Sequence, residues 1–460
     1  MRTSTSHDMT KGNPLPILLT FALPLLISNL FQQLYNMVDS MIVGQFVGSN
    51  ALAAVGSTGY ITNIFLALNT GLSSGMGIII AQYFGAKNDT MVRKSIVTCI
   101  YLMSSSALVM GALGFTFAPA ILRLMNTPDA IFRDSLLYLR INCLGMLATA
   151  AYNALSSILK ATGDSKTPLF FLIIASVLNL VLDLVFVILF RWSVAGAASA
   201  TILAQIFSAS ACIVYVIKRE PYFRIPRAEW SFDKTLGRRC ICLGVPLALQ
   251  SSMISFSNLA LQRVVNGFGE TVVAALTAGN RYESLIQLPL SSLSIALSTF
   301  AGQNIGAGER RRVKQGFITG LSLAMGFVLL MMPVTLFFGS NIIQLFTSNQ
   351  DVIAIGAAGI RVTAFFYLPL GIVHCTRGTI NGAGDSRFPL LTGIVEVAAR
   401  ICLAKPITSV PSIGFRGIWL TTGLTWTFAA VLGIARYYYL FIKKGCRSAK
   451  KAGTVDDSLK

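Results

Sequence analysis

Long apolar stretches, separated by short gaps rich in glycine, asparagine and basic residues, run through almost the whole chain. A helix needs about 20 mostly apolar residues to cross the hydrocarbon core of a bilayer. Windows of that kind recur twelve times, at roughly 15–42, 51–80, 94–119, 133–159, 168–190, 194–217, 241–265, 272–302, 316–338, 352–379, 388–409 and 414–442. The runs are long and unbroken, unlike the short alternating segments of a membrane β-barrel. Several exceed the minimum length, so tilting or kinking is expected. Pro24, Pro246, Pro289, Pro333 and Pro369 fall inside these runs and are the expected bend points, because proline lacks the helical N–H. The predicted fold class is an all-α integral membrane protein of twelve transmembrane helices.

Composition agrees. Hydrophobic residues make up 54% of the chain, charged residues 12%, and the mean hydropathy is +0.68. A soluble domain carries about 25% charged residues, so a chain this apolar must use lipid as part of its solvent. The polar start leads into a first run too long for the apolar core of a cleavable signal, so it is expected to be a helix. Of the eight cysteines, Cys99, Cys143, Cys212, Cys375 and Cys402 lie in apolar runs, and Cys240, Cys242 and Cys446 lie near basic segments. None has the spacing of a zinc site, so unpaired thiols are expected.

The net charge of +19 would suit nucleic acid, but its distribution argues otherwise. Basic residues gather in alternate gaps: Arg2 and Lys11; Lys87, Arg93 and Lys94; Lys160 and Lys166; seven between Lys218 and Arg239; Arg310, Arg311, Arg312 and Lys314; and the tail from Lys443 onward. The opposite gaps hold only Arg123, Arg133, Arg191, Lys405 and Arg416. The positive-inside rule then puts both termini in the cytoplasm, which requires an even number of spans. The expected setting is the plasma (inner) membrane.

An internal repeat organises the chain. Shifted by 221 residues, AQYFGAKN (81–88) falls on GQNIGAGE (302–309), Arg140 on Arg361, ATGDSKTP (161–168) on GAGDSRFP (382–389), and Gly196 on Gly417. Six spans per repeat insert both halves the same way up, the parallel-repeat plan of many transporters, in which two bundles rock to give alternating access. The expected organisation is a six-helix lobe at 1–217, a basic cytoplasmic linker at 218–240, a second lobe at 241–442 and a basic tail at 443–460.

The stretches FQQLYNMVDSMIVG (31–44), IIAQYFGAKN (79–88), the GDSKTP and GDSRFP turns, NLVLDLVFV (179–187), GAASATILAQ (196–205) and STFAGQNIGAG (298–308) resemble the multidrug and toxic compound extrusion (MATE) family, in bacterial form, over nearly the whole chain. The resemblance implies export of cationic or amphipathic drugs, driven by inward Na⁺ or H⁺. It implies no cofactor beyond the coupling ion, small-molecule and lipid partners, no nucleic acid, and a monomer.

Acids at bilayer depth are functional candidates because charge there is costly. Asp39 lies near the end of the first run and Asp183 midway along the fifth; the repeat places Ala260 and Ala404 opposite them. Neither acid is therefore required by the shared fold. Asn179 and Asp183 share a helix face, Gln32, Tyr35, Asn36 and Asp39 form a stripe at helical spacing, and Thr201 lies in the sixth run. Carboxylate, amide and hydroxyl oxygens suit a hard cation. The same acids would equally suit a proton, and a polar cluster that only joins helices is the structural alternative. The resemblance implies that Asp39, Asn179, Asp183 and Thr201 form a cation site.

Some relatives carry a glutamate on the seventh helix; here that stretch holds Gln250, Ser251, Ser252 and Asn258 but no acid. Glu283 lies in the eighth run, either paired with Arg281 or touching cationic drugs. Gln32, Tyr35, Asn36, Tyr138, Asn153, Gln250 and Glu283 are the candidate cavity residues. Met146, Phe256, Phe365, Phe366 and Tyr367 offer adaptable and aromatic surface for flat cations. Asp164 and Asp385 read as helix-capping turn residues. A flippase for a lipid-linked sugar would be expected to line its cavity with several Arg or Lys, and only Arg263 and Arg281 are offered. Catalysis has little support, since His7 and His374 are the two histidines and no metal triad or nucleophile elbow occurs.

Overall fold

The computed structural model describes residues 7–443, the side chain of Tyr60 excepted. Its regular structure is entirely helical. The helices are α1 (Pro14–Ile42), α2 (Ser49–Gly85), α3 (Asp89–Leu124), α4 (Asp129–Ala161), α5 (Lys166–Asp183), α6 (Ser193–Arg219), α7 (Lys234–Val265), α8 (Glu270–Gly306), α9 (Arg310–Gln344), α10 (Gln350–Ala364), α11 (Tyr367–Gly382), α12 (Arg387–Thr408) and α13 (Gly417–Tyr437). Wider π-turns continue α1 (Val43–Val47), α5 (Leu184–Leu189) and α13 (Tyr438–Lys443). Among the described residues, nine helices are long and apolar enough to cross a membrane, and α10 with α11 makes a tenth, bent span. The more polar α4 and α12, of 33 and 22 residues, occupy the remaining two expected runs. The chain is thus a multi-pass helical membrane protein.

Local chemistry sets the helix ends. Asn88 Oδ1 accepts from Met91 N at 3.1 Å and opens α3. Asn349 does the same for Asp351 and Val352 at α10. Asp164 Oδ1 accepts from Lys166 N and Thr167 N, both at 3.0 Å, and Asp385 Oδ1 accepts from Arg387 N at 3.0 Å, so both act at helix starts as their turn chemistry predicts. Of the expected bend points, Pro24, Pro246, Pro289 and Pro333 lie within continuous helices. Pro369 coincides with a true break: α10 and α11 meet at 55°. Its missing N–H would have bonded the carbonyl of Phe365, where α10 stops.

The repeat reaches the backbone. Left-handed residues recur at the same 221-residue offset: Gly48 and Gly269 (φ 116° and 90°), Lys87 and Gly308 (56° and 80°), Gly163 and Gly384 (91° and 79°), Ser193 and Gly414 (53° and 52°). Such dihedrals are costly for a residue with a Cβ, so their coincidence reflects one loop design used twice.

Two compact units result: residues up to Met9 with Thr20–Ala248, and Thr10–Leu19 with Leu249 onward. In the first, α4 packs on α2, α3 and α6, and α5 on α6. In the second, α8 packs on α9, α10 and α11, and α12 pairs with α13. The division differs from the expected linker at 218–240. The first half of α7 belongs with the first unit because Gly71, Gly75 and Gly244 bring α2 and α7 together. A Cβ on Gly71 would stand 2.6 Å from Gly244 O. The segment before α7 is docked as well. Arg93 grips Glu229 with two bonds, of 2.6 and 2.9 Å, Phe232 meets Tyr101 edge-on, and Asp233 Oδ1 accepts from Thr235 N and Leu236 N. The expected tail, apart from Lys443, lies outside the described residues, as does Cys446. The described cysteines are unpaired; Cys402, expected in a span, is exposed, and Cys240 is buried.

Candidate cation site

The first unit brings Asp39, Asn179, Asp183 and Thr201 together from α1, α5 and α6. Asn179 and Asp183 are one turn apart on α5 and are buried, at 2% and 1% exposure. The amide orientation that satisfies both ends has Asn179 Nδ2 donating to Asp183 Oδ2 at 2.8 Å. Its Oδ1 then accepts from Thr201 N at 3.1 Å and lies 3.2 Å from Thr201 Oγ1. Tyr35 OH lies 3.3 Å from Thr201 Oγ1 and ties α1 to α6. The Asp39 and Asp183 carboxyls are within hydrogen-bonding reach of each other, with Tyr138 of α4 beside them.

Two features give the cluster its chemistry. Asp39 Oδ1 and Asp183 Oδ1 are buried without a hydrogen-bond partner among the described residues. Buried carboxylate oxygens are rarely left so, and two adjacent carboxylates repel unless a positive charge is shared between them. The second feature is an apolar cap. Ile42, Val43, Ala51, Val187, Val194 and Ala197 form one buried cluster, against which Val38 and Tyr138 pack. Ile42 is three residues beyond Asp39, Val187 four beyond Asp183, and Ala197 four before Thr201, so the polar groups lie one turn from that cap. The π-turns of α1 and α5 begin just after the two acids, as such turns often do at functional sites. Nothing in VGQFV or LVFVIL announces them in the sequence. Among the described residues no group of three or more His, Cys, Asp or Glu could hold a metal. The oxygens that this cluster offers are those of two carboxyls, an amide and a hydroxyl.

The remaining predicted residues are dispersed. Gln32 and Asn36 are exposed on α1, and Asn153 is half-buried on α4. In the second unit, Gln250 is buried and donates to Thr392 Oγ1 at 2.5 Å. Glu283 is buried on α8, while Arg281, two residues away on another face, is exposed. Glu283 faces Thr363 and Arg400 instead. His374 lies on α11 near Arg377. Sequence reasoning missed Tyr35's bond to Thr201 and the partners of Arg400; both cross between helices distant in sequence.

Comparison with known proteins places this geometry in a family. A family model described as MatE matches residues 24–185 and again 246–405, once in each half. The probable multidrug resistance protein YpnP of Bacillus subtilis is 32% identical over 438 residues, covering 94% of this chain and 97% of that protein. A crystal structure of a MATE protein in a bent conformation superposes with a TM-score of 0.90 at 22% identity, covering 96% of this chain and 98% of the other. A MOP-superfamily transporter from Pyrococcus furiosus superposes with a TM-score of 0.89 at 21% identity, over 98% of this chain and all, 100%, of the other. The repeat seen in the sequence is thus the family unit occurring twice.

Proposed function

The chain belongs to the MatE family of transporters, and from that premise we propose that it is a cation-coupled antiporter that exports cationic or amphipathic small molecules. In this reading Asp39, Asn179, Asp183 and Thr201 bind the coupling ion, either Na⁺ or H⁺. The observation that carries it is the pair of adjacent carboxyls, Asp183 buried and Asp39 half-buried, each with one buried, unpartnered oxygen. A proton or Na⁺ shared there removes their repulsion; its release restores it. The tie from Thr201 to Tyr35 gives α1 a direct contact with that event. Cytoplasmic termini are supported by the basic gaps, and drug export by the relative's name as a multidrug resistance protein. The cationic or amphipathic character of the cargo and the plasma membrane as the location rest on the family resemblance, with Tyr138 as an aromatic candidate contact.

The test is ethidium efflux from cells lacking their own pumps, at matched expression, with and without Na⁺. Wild type is expected to extrude the dye and Asp183→Asn to fail, with the Na⁺ dependence naming the ion. Equal efflux by both proteins sinks the assigned site. Efflux by neither sinks the multidrug assignment and favours another cargo, such as a lipid-linked sugar.

A further inference from the structure

The second unit has its own buried charged cluster, unlike that of the first. Under the repeat, Arg400 stands where Asn179 stands, and Thr363 where Asn142 stands. Arg400, 7% exposed on α12, donates through Nη1 to Asn258 Oδ1 of α7. It lies within electrostatic reach of two buried carboxylates, Glu283 of α8 and Glu396 of its own helix. Glu396 in turn binds Arg377 of α11 at 2.5 Å. Thr363 of α10 and Tyr367 of α11 also face Glu283, and Tyr282 next to it is tied to Thr335 of α9 at 2.6 Å. Glu283 Oε1 and Arg400 Nε have no hydrogen-bond partner among the described residues. The cluster holds two acids and two guanidinium groups, so it is electrically neutral as built. In the first unit two acids adjoin, and among the described residues neither has a basic side chain within ion-pair distance.

We propose that Arg400 is a resident counter-cation: it takes in the second half the electrostatic place that an exchanged cation takes in the first. This rests on the proposed cation site only for the comparison; in the second half it rests on the burial of Glu283 and Arg400 within one unit, each with an unpartnered polar atom. A buried carboxylate without a positive partner is strongly disfavoured. Arg400 cannot leave, and arginine does not lose its proton in proteins. The second half therefore neither binds nor releases an ion, although it carries intramembrane acids. The roles of the halves are set by one position, Asn in the first and Arg in the second.

The experiment uses the purified full-length chain in nanodiscs, with thermal unfolding followed between pH 5 and 8 and in NaCl against choline chloride. All variants carry Asp183→Asn, so that the first half contributes no ion response. In this background Arg400 is expected to leave the Tm insensitive to Na⁺, with no response assignable to Glu283. Arg400→Gln is expected to lower the Tm by roughly 3–5 °C at pH 8. Either lower pH or Na⁺ should recover part of that loss by neutralising Glu283. Adding Glu283→Gln should abolish the recovery and restore the Tm itself. Arg400→Lys, which keeps the charge and loses only the fork, is expected to stay insensitive, and this arm stands even where the Gln variant does not fold. An Arg400→Gln protein indifferent to both pH and Na⁺ would overturn the proposal. So would a dependence that survives Glu283→Gln, or one that appears in Arg400→Lys. Because Asp183 is already removed, failure here leaves the first-half cation site untouched.

Discussion

Replacing Asp183 by Asn separates ion binding from folding, because the two effects have opposite signs. Asp183 is 1% exposed, and its recorded side-chain partners are Asn179, at 2.8 Å, and the Asp39 carboxyl. The substitution is isosteric and turns one charge-assisted hydrogen bond, worth about 1.5–3 kcal/mol, into a neutral one worth about 0.5–1.5 kcal/mol. It also removes a buried carboxylate that adjoins the half-buried one of Asp39, and the effective desolvation cost of a buried ion is several kcal/mol. The ion-free protein is therefore expected to be at least as stable as wild type, and up to about 3 kcal/mol more stable. Ion binding acts the other way. A ligand at 100 times its Kd stabilises the folded state by about 2.7 kcal/mol, and only wild type retains the site. Thermal unfolding with Na⁺ against choline at pH 8, and across pH 5 to 8 without Na⁺, resolves both effects. Wild type should gain stability from Na⁺ or from protons, while Asp183→Asn should start higher and gain neither. An Asp183→Asn protein with the full wild-type ion response would refute the assignment. One that is several kcal/mol less stable without ions would show that the carboxylate holds the helices together.

Other outcomes follow from the same structure. Gly163→Ala should abolish folded expression, because φ is +91° and the new Cβ would stand 2.2 Å from His7 O. Gly308→Ala, at φ +80° with open space around it, should cost only about 1–2 kcal/mol; equal losses in a thermal melt would show that the His7 contact is not what makes Gly163 necessary. Lys87→Gly should be neutral or stabilising by up to about 1 kcal/mol, and a loss of that size would contradict the left-handed assignment. Arg93 depresses the Glu229 carboxyl below its ordinary value of 4.5. A depressed folded value means that the pair's contribution is present above the unfolded value and lost as pH falls through the folded one. Glu229→Gln should thus make the segment before α7 more sensitive to proteolysis at pH 7, and this difference from wild type should shrink as the pH falls below 4.5; a difference that persists unchanged at low pH would exclude the ion pair as its cause.

The fold was largely readable because both of its signals are local. Apolar run length gave the spans, and a fixed offset gave the repeat, down to Gly48 and Gly269, Gly163 and Gly384 at matching left-handed positions. The stripe through Tyr35 and Asp39 and the pair Asn179–Asp183 were visible for the same reason, since helical spacing puts them on one face. What stayed hidden depends on contacts between helices. That Thr201 meets Asn179 and Tyr35, and that Glu283 turns from its near neighbour Arg281 toward Arg400, are matters of packing across more than 20 residues. The unit boundary at Ala248 lies beyond the basic cytoplasmic linker that charge density suggested at 218–240. The chain instead folds that segment onto α3 through Arg93 and Tyr101, and starts α7 early at Lys234.

Obligatory exchange of Na⁺ or H⁺ for a cationic or amphipathic molecule is tested most directly in proteoliposomes containing only this protein. With dye at equal concentration on both sides and an inward Na⁺ or H⁺ gradient imposed, dye should move out against its own gradient only while the ion gradient lasts. A dye gradient alone should drive the ion the opposite way, and Asp183→Asn should do neither. Dye movement that proceeds at the same rate without any ion gradient, or without counter-movement of Na⁺ or H⁺, would contradict the account.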